Sequence, residues 1–570
     1  MKSFLSGLAA FLLCGVGLTA CTTPSAGPPA VRIRWAQDPQ TLEPLTATSS
    51  QAVEVINLRH CSLLAGDYEH GRFAPWLAES LPVISRRNSF TLLTYTLRRE
   101  ATWDNGQPVL ARDVAFTLKV MNCPRLPTEY SRTQYGVILD IELDAANPRR
   151  FTLVCKGSSQ NVIIASGDYL ILSEHSLDPE AALRAVPLPL LRADTAAALR
   201  RYPSLLNLAN RYRSIPPEKQ PGCGPYQLTA WAKNQYLRLQ RKPNWWGSKL
   251  NKPPRWLQAQ AEVLDYRIIP DNATALLALR RGDIDLYPEP PAQDFNRLRH
   301  SADSTKLLFS VANSYDVTMV GFNTQRPALK DPLTRRALSM LFDIPGLISA
   351  TQPGLAYRSV GLINPHDKPA YNDSLPLLVF APQRALALLS QAGWQQHPDK
   401  TWWRNKIQLV LNIIYKAGAA DHEAIATQLR TTARQLGVLI KLRPQESTLL
   451  RRQMQSGNMD MYVHTLNGTP YAYNFFSIMH SRGIGMINYP RFQNAESDHL
   501  IEAITAEPNP LRQASLLRRF QVLLQQESPV AVLYFARHRL IASRRLGTVQ
   551  AISARPGYDA TQLQLASARQ

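Results

Sequence analysis

The sequence predicts an α/β fold, and two patterns carry that prediction. Residues 409–415, 438–442 and 459–465 have the composition and alternation of β-strands, and apolar residues recur at helical spacing over 425–436 between the first two. Strands that alternate with helices form βαβ units with parallel strand pairs. Residues 226–240 alternate apolar and polar side chains around a central reversal, which indicates an antiparallel hairpin in the same protein.

The composition is that of a globular protein with a basic excess. Hydrophobic residues make up 45% and charged residues 19% of the 570 positions, and the formal net charge is +21. This length is enough for two or three domains of about 150 residues each. The basic residues form no dense run, and the sequence contains no helix-turn-helix motif. We therefore expect no nucleic-acid partner. A solvated surface, or a cleft biased toward anionic ligands, explains the charge.

The N-terminus predicts export and a lipid anchor. Lys2 precedes an apolar run over residues 4–20 that is too short and Gly-rich for a membrane span. The motif LTAC at 18–21 looks like a lipobox, the site where bacteria attach a diacylglycerol group to the thiol of Cys21 and cleave the chain before it. The Pro/Ser/Gly-rich segment that follows suits a flexible tether. The alternative is an ordinary signal peptide with a chance cysteine. We expect no stretch of the mature chain to span a bilayer.

Four cysteines remain once the signal peptide is removed and Cys21 carries lipid. They are Cys61, Cys123, Cys155 and Cys223. An even number in an oxidising compartment predicts two disulfides. Three pairings are possible, and sequence order favours Cys61–Cys223 with Cys123–Cys155. None of the four lies in a C-x-x-C motif, so no structural zinc site is expected.

The segment 222–247 is the most informative stretch of the chain. GCGPY at 222–226 combines glycines with a proline, which predicts a tight turn. The predicted hairpin follows, and Pro243 then ends its ladder before the two indoles of Trp245 and Trp246. This segment resembles the "GtGPY…YWG" wording of the family 5 extracellular solute-binding proteins, the oligopeptide-, dipeptide- and nickel-type receptors of bacterial ABC importers.

Further motifs resemble the same family in the same order along the chain. In WDNGQPVLARDV at 103–114, Leu110 replaces the threonine that usually caps the following helix, at a cost of about 1 kcal/mol. The other segments are FAPWLAES at 73–80, GDID at 282–285, VGFNT at 320–324, DPLTRRALSMLFD at 331–343, PQRALALLSQAGW at 382–394 and ESPVAVLY at 527–534.

The resemblance implies a two-lobed, periplasmic-binding-protein-like fold of type II, enlarged by an extra subdomain in lobe I, with a cleft between the lobes. It predicts this division of the chain: 1–20 lipoprotein signal peptide, 21–30 tether, 31–70 first part of lobe I, 71–221 extra subdomain of lobe I, 222–320 second part of lobe I, 321–529 lobe II, and 530–570 return to lobe I.

No catalytic constellation is present in the sequence. The chain contains no G-x-S-x-G elbow, no phosphate-binding G-x-x-x-x-G-K-[ST] and no G-x-G-x-x-G after a strand. No two of the eleven histidines occupy positions i and i+4 on a shared helix face. We therefore predict no enzyme activity, no cofactor and no bound metal.

The resemblance also implies where a ligand binds. In peptide-binding relatives an aspartate just after the strand that matches 459–465 holds the ligand's α-ammonium, but residues 461–482 contain no acidic residue. This absence predicts a preference for ligands without a free α-amine. The predicted cleft residues are Tyr130, Tyr135, His464, Asn467, Tyr471, Tyr473 and Arg482. The alternative is that the tyrosines pack in a core or interface.

Two functions are compatible with the sequence. In the first, a monomeric protein, lipid-anchored in the periplasm of the bacterial envelope, captures a peptide or peptide-like solute and delivers it to an ABC permease and ATPase complex. In the second, an envelope lipoprotein uses the same scaffold as a chaperone or signalling receptor. A non-peptide solute, such as a metal chelate, a glycan or an opine-like compound, is a further alternative for the ligand.

Overall fold

The computed structural model describes residues 29–47, 49–471 and 473–566. The predicted signal peptide, the lipobox cysteine Cys21 and nearly all of the tether lie outside these residues. No helix in the described ranges has the length and apolar character needed to cross a membrane.

The strands of the described chain, in order, are β1 (Ala30–Trp35), β2 (Leu64–Asp67), β3 (Arg72–Pro75), β4 (Val83–Arg87), β5 (Phe90–Thr96), β6 (Ile138–Leu143), β7 (Arg150–Lys156), β8 (Tyr226–Ala232), β9 (Tyr236–Arg241), β10 (Val263–Ile268), β11 (Leu286–Pro288), β12 (Leu307–Phe322), β13 (Ala356–Tyr357), β14 (Gln395–Gln396), β15 (Trp402–Arg404), β16 (Ile407–Gln408), β17 (Val410–Lys416), β18 (Leu439–Gln445), β19 (Met461–Leu466) and β20 (Val530–Ser543).

The α-helices of the same ranges are α1 (Ser50–Arg59), α2 (Ala111–Met121), α3 (Glu129–Gln134), α4 (Gln160–Ala165), α5 (Glu174–Leu177), α6 (Leu188–Ala193), α7 (Thr195–Arg201), α8 (Ser204–Ser214), α9 (Asn272–Arg281), α10 (Ala292–Arg299), α11 (Pro332–Ser339), α12 (Ile344–Thr351), α13 (Pro382–Gln391), α14 (Ala420–Gln435), α15 (Ser447–Ser456), α16 (Phe476–Met479), α17 (Ala495–Ala506) and α18 (Pro510–Glu527).

One large mixed sheet runs through the protein. Its order is β18-β17-β19-β12-β20-β11-β1-β10-β9-β8, with β13 paired to the side of β20. Strand β17 pairs in parallel with both β18 and β19, and β1 pairs in parallel with β10 and β11. The predicted α/β class with parallel pairs is therefore confirmed. The predicted hairpin is also confirmed, because β8 and β9 are antiparallel neighbours.

Several helix ends lie where the sequence places them. Asp271 caps α9 by accepting a hydrogen bond from Thr274 N, and Gly282 ends that helix in the left-handed region at φ 79°. Asp331 caps α11 in the same way, with proline at the first helical position. At α2 the side chain of Leu110 accepts no hydrogen bond, and the Asp113 carboxylate instead accepts one from Leu110 N at 2.8 Å.

The hydrophobic residues form separate cores along the sheet. Strands β1, β8–β11 and helix α1 pack in lobe I, whereas β17–β19 with α11–α14 pack in lobe II. A third core fills a subdomain with its own four-stranded sheet, ordered β4-β5-β7-β6. This subdomain core extends from Leu45 to Leu257, so it takes in residues on both sides of 71–221. Leucines of α6 and α8, in a stretch without a recognisable motif, contribute to it.

Two long strands, β12 and β20, join the lobes. They are antiparallel partners from Leu307↔Ser543 to Gly321↔Val530, but the register shifts between Asn313 and Val317. The N-terminal part of β12 packs against the lobe I cores, and its C-terminal part enters a lobe II core and pairs with β19. We call this bulged crossing the hinge, because β-bulges bend a strand locally.

Candidate functional site

The GCGPY turn connects helix α1 with the core of the subdomain. The Gly224 amide donates to Arg59 O at 2.8 Å, and a Cβ on Gly222 or Gly224 would meet that carbonyl group at 3.0 Å or less. Both indole nitrogens of Trp245 and Trp246 donate to Cys223 O, at 2.9 and 2.7 Å. The turn therefore fastens α1 to the subdomain core, and its glycines are required by the close approach of the backbones.

The cysteines differ from the prediction. Cys61, Cys123, Cys155 and Cys223 are all free, buried thiols in the structure, not two disulfides. Cys123 follows α2 and its thiol donates to Pro124 O, whereas Cys155 lies within β7. The side chains of Cys61 and Cys223 are close enough to form a hydrogen bond. Burial, the larger cause, and this hydrogen bond both raise the pKa of Cys223.

The loop after β19, residues 467–471 and 473–475, forms what we call the lobe II wall of the cleft. Asn467 is exposed at its start. The Tyr471 hydroxyl is buried without a hydrogen-bond partner. The Tyr473 hydroxyl accepts a hydrogen bond from Asn364 N at 3.2 Å, and its ring stacks on Phe475 at 6.0 Å. The lobe II wall is therefore both aromatic and polar. Its residues Asn467, Tyr471 and Tyr473 are among the cleft residues predicted from the sequence.

The opposite side, which we call the subdomain wall, consists of β2, β3, α3, α4 and residues 166–169. Tyr130 on α3 keeps 50% of its surface exposed, although burial and the Asp168 charge raise its pKa. Tyr135, directly after α3, packs edge-on against Tyr169 with ring centroids 5.3 Å apart. Partial exposure inside a crowded environment is typical of side chains that line a recess.

The two walls touch in this structure. Asn161 on α4 donates to Tyr473 O at 3.0 Å. The Tyr471 ring packs edge-on against Phe73 of β3 at 4.7 Å, and its hydroxyl lies 2.3 Å from the point where a Cβ on Gly66 would be. These contacts bring the lobe II wall against lobe I, so the lobes are closed on each other at this rim.

His464 and Arg482 do not join the tyrosines. His464 faces a small cavity of about 50 Å³ within lobe II, beside Tyr462 and Tyr489. Burial, with the charges of His422 and Arg451, lowers the pKa of His464 to about 4, so the ring is neutral at physiological pH. Arg482 is paired with Glu502 on α17 at 3.1 Å and its side chain is 68% exposed.

Several polar groups at the cleft and the hinge were not predicted from the sequence. Asp168 has a carboxylate oxygen buried without a partner, and Asn161 bridges the walls. At the hinge, Asp316 accepts hydrogen bonds from His538 at 3.1 Å and from Arg555 Nε at 3.2 Å. No spacing or motif marks these residues, because their neighbours come from distant parts of the chain. Within the described ranges, no group of three or more His, Cys, Asp or Glu side chains could hold a metal.

The fold and this site define a class: a two-lobed binding protein in which two strands connect lobes that meet across a cleft. The family model for bacterial extracellular solute-binding proteins, family 5 Middle, matches residues 72–485. The chain belongs to this family, which confirms the resemblance found in the sequence. The family is one of extracellular solute-binding proteins and not of enzymes.

Similar proteins support the same fold over nearly the whole chain. The oligopeptide-binding protein AppA of Bacillus subtilis (strain 168) is 21% identical over 516 residues, which cover 89% of this chain and 86% of that protein. The structure of AppA from Bacillus subtilis in complex with a nonapeptide matches with a TM-score of 0.76 at 18% identity, covering 95% of this chain and 99% of that one.

A second solved structure has a different ligand. NikZ from Campylobacter jejuni in complex with Ni(L-His) matches with a TM-score of 0.72 at 17% identity, covering 93% of this chain and 98% of that one. The predicted two-lobed α/β fold is confirmed by these matches. Because proteins with this fold hold a nonapeptide in one case and a metal complex in the other, the residues of the cleft decide the ligand.

Proposed function

We propose that this protein is the lipid-anchored substrate-binding component of an ABC importer that captures a peptide or peptide-like solute. The observation that carries the proposal is the family 5 match over residues 72–485, with a fold shared along nearly the full chain by a protein that holds a nonapeptide. Closure of two lobes over a solute supplies affinity by removing both surfaces from water. A membrane permease then recognises the closed form and receives the solute.

The ligand contacts we propose come from the two walls. Tyr130 and Tyr135 on one side, and Asn467, Tyr471 and Tyr473 on the other, offer aromatic faces and hydroxyl or amide groups. Such groups bind peptide backbones without selecting one side chain. His464 and Arg482 contribute little to this proposal, because one faces a separate cavity and the other is already paired.

The anchor proposal rests on LTAC at 18–21, ahead of the flexible segment that leads into β1. Exchanging Cys21→Ser removes the thiol that would carry the lipid. We expect the variant to move from the membrane pellet to the soluble periplasmic fraction and to lose palmitate labelling. A variant that stays in the pellet and still incorporates palmitate would rule out this anchor.

The transport proposal is tested on protein purified from its own cells. Native mass spectrometry should find the wild-type protein loaded with peptides or peptide-like solutes, and deletion of the gene should abolish their uptake. A co-purified metal chelate, glycan or opine-like compound would identify a different solute for the same fold. Normal uptake of all solutes in the deletion strain, with a protein that carries no ligand, would favour the chaperone or receptor role instead.

A further inference from the structure

Asp168 lies on the subdomain wall, between the two places where that wall touches lobe II. It follows α4, the helix that contacts Tyr473. The neighbouring Gly167 carbonyl accepts a hydrogen bond from Leu64 N at 2.8 Å, and Leu64 begins β2, the strand that contacts Tyr471. The carboxylate is therefore held on rigid elements beside the closed rim.

In the described part of the chain, the Asp168 carboxylate has no hydrogen-bond partner from another residue, and its own backbone amide is the donor that it meets. Its Oδ1 atom is buried and accepts no hydrogen bond, while the residue as a whole keeps part of its surface exposed. Among the described residues, no lysine or arginine lies close enough to lower its pKa, and burial raises that pKa to about 7. A buried acid without a cation is costly, and native proteins rarely retain one without a use.

Phenols are the groups around Asp168 whose pKa its charge affects. Tyr130 lies on α3 and Tyr135 directly after it, whereas Tyr95 of β5 and Tyr169, its neighbour in the chain, are buried in the core. Burial together with the Asp168 charge raises the pKa of each phenol, so all four stay protonated at physiological pH. Tyrosine faces around an anion form an environment that suits an organic cation, through charge pairing and cation–π attraction.

Across the cleft, the loop that forms the lobe II wall contains no acid of its own, although the Asp367 carboxylate lies within hydrogen-bond reach of the Tyr473 hydroxyl. Residues 461–482 contain neither Asp nor Glu, although an acid at this place was expected from the family resemblance. We propose that Asp168, framed by Tyr130 and Tyr135, binds an ammonium group of the solute from the subdomain side. The inference rests on the proposed function and names the charge of the ligand. It opposes the sequence-based expectation of a ligand without a free amine.

The first test uses the full-length mature protein, stripped of bound solute. It compares wild type with Asp168→Asn and with Asp283→Asn, which removes the same charge at an exposed position on lobe I. The probes are tetra-alanine, N-acetyl-tetra-alanine and an N-acetylated tetrapeptide with one lysine, measured by calorimetry at pH 8. The lysine probe separates a side-chain ammonium from the α-ammonium as the group that is bound.

We expect Asp168→Asn to weaken binding of the probes that carry an ammonium at least tenfold, and that of N-acetyl-tetra-alanine less than twofold. Asp283→Asn should change neither. Wild-type affinity for the ammonium probes should rise about tenfold per pH unit up to about pH 7 and then level off, because only the ionised carboxylate binds the cation. The Asp168→Asn affinity should not follow this profile.

Other results would overturn the inference. Equal losses for free and acetylated probes would show that Asp168 only supports the wall. Binding of a solute without an amine, found on wild-type protein from native cells and kept by Asp168→Asn, would place the ligand elsewhere while leaving the proposed function intact. A wild-type protein that binds no probe and carries no solute from its own cells would overturn the proposed function as well.

A ligand-free measurement checks the state of the carboxylate directly. The folded pKa of Asp168 is about 7, above the unfolded value of about 3.8, so its contribution to stability is lost as the pH rises between these values. The melting temperature of Asp168→Asn relative to wild type should therefore increase from pH 4 to pH 7. A constant difference over this range would mean that the carboxylate is already neutralised within the fold.

Discussion

The lobes are connected in two regions, the hinge and the cleft rim. The two regions differ in the hydrogen-bond partners that their buried polar groups have. At the hinge, the bulge in β12 leaves Asp316 only 3% exposed and surrounds it with donors. Its oxygens accept hydrogen bonds from His538, Arg555 and the Gly468 amide. At the rim, the described residues provide no hydrogen-bond partner for the Oδ1 atom of Asp168 or for the Tyr471 hydroxyl.

The titration behaviour of the two carboxylates follows from these surroundings. Burial alone would raise the pKa of Asp316, but the Arg555 charge and the His538 hydrogen bond outweigh it and lower the pKa. Nothing outweighs burial at Asp168, whose pKa rises. Burial alone therefore does not identify a binding group. A buried acid with all its partners holds the protein together, whereas one without partners is available to a ligand.

The largest expected effect is at the hinge. Asp316→Asn removes the charge that Arg555 and His538 share and leaves both with an incomplete set of partners. We expect a loss of about 3 kcal/mol in the free energy of unfolding, the low end for a broken buried pair, because the Arg555 side chain is 36% exposed. Urea denaturation measures it. A loss no larger than that of the exposed control Asp283→Asn would mean that the cluster is not structural.

A smaller effect concerns pH. Burial lowers the pKa of His538, but the Asp316 hydrogen bond and the Glu289 and Asp316 charges together raise it. Its pairing therefore stabilises the fold fully below the unfolded pKa of about 6.5 and is lost as the pH rises through the folded value. We expect His538→Gln to cost about 1.5 kcal/mol at pH 6 and less at higher pH.

Urea denaturation of wild type and His538→Gln from pH 5 to pH 9 checks this prediction and separates the pH dependence of the hinge from that of the rim. The decline caused by Asp168 lies between about pH 4 and pH 7, whereas the decline caused by His538 lies above about pH 6.5. Each should disappear only in its own variant. The same pH profile for wild type and His538→Gln would show that His538 is not charged in the fold.

The smallest effect is expected at the rim. The backbone of Gly66 is not in the left-handed region, so Gly66→Ala is strained only by Tyr471, whose hydroxyl would lie 2.3 Å from the new Cβ. The tyrosine side chain can rotate away, so we expect a loss of about threefold in ligand affinity, or ~0.7 kcal/mol, and a more open ligand-bound protein in small-angle X-ray scattering.

Gly547→Ala is the matched control for this change, because a Cβ there meets nothing within 4 Å. It should leave both the affinity and the scattering profile unchanged. If Gly66→Ala binds ligand as tightly as this control does, the rim contact with Tyr471 does not form in the ligand-bound state.

Local structure and family membership follow from the amino-acid sequence alone. Asp271 and Gly282 at the ends of α9, and the hairpin after Gly224, were predictable because capping, left-handed turns and strand alternation depend on residues a few positions apart. The motifs and their order carried the resemblance to the family, and that resemblance implied the two-lobed fold.

Only the tertiary structure decided which charges are free. Asp316 meets His538 and Arg555 across 222 and 239 positions of sequence, and Arg482, a predicted ligand residue, meets Glu502 on a later helix. Asp168 is no different from other aspartates in the sequence. Asp168 is distinguished only in the folded chain, where no cation among the described residues lies close to it. The free energy of a buried charge depends on all of its neighbours in space, and no local sequence pattern records them.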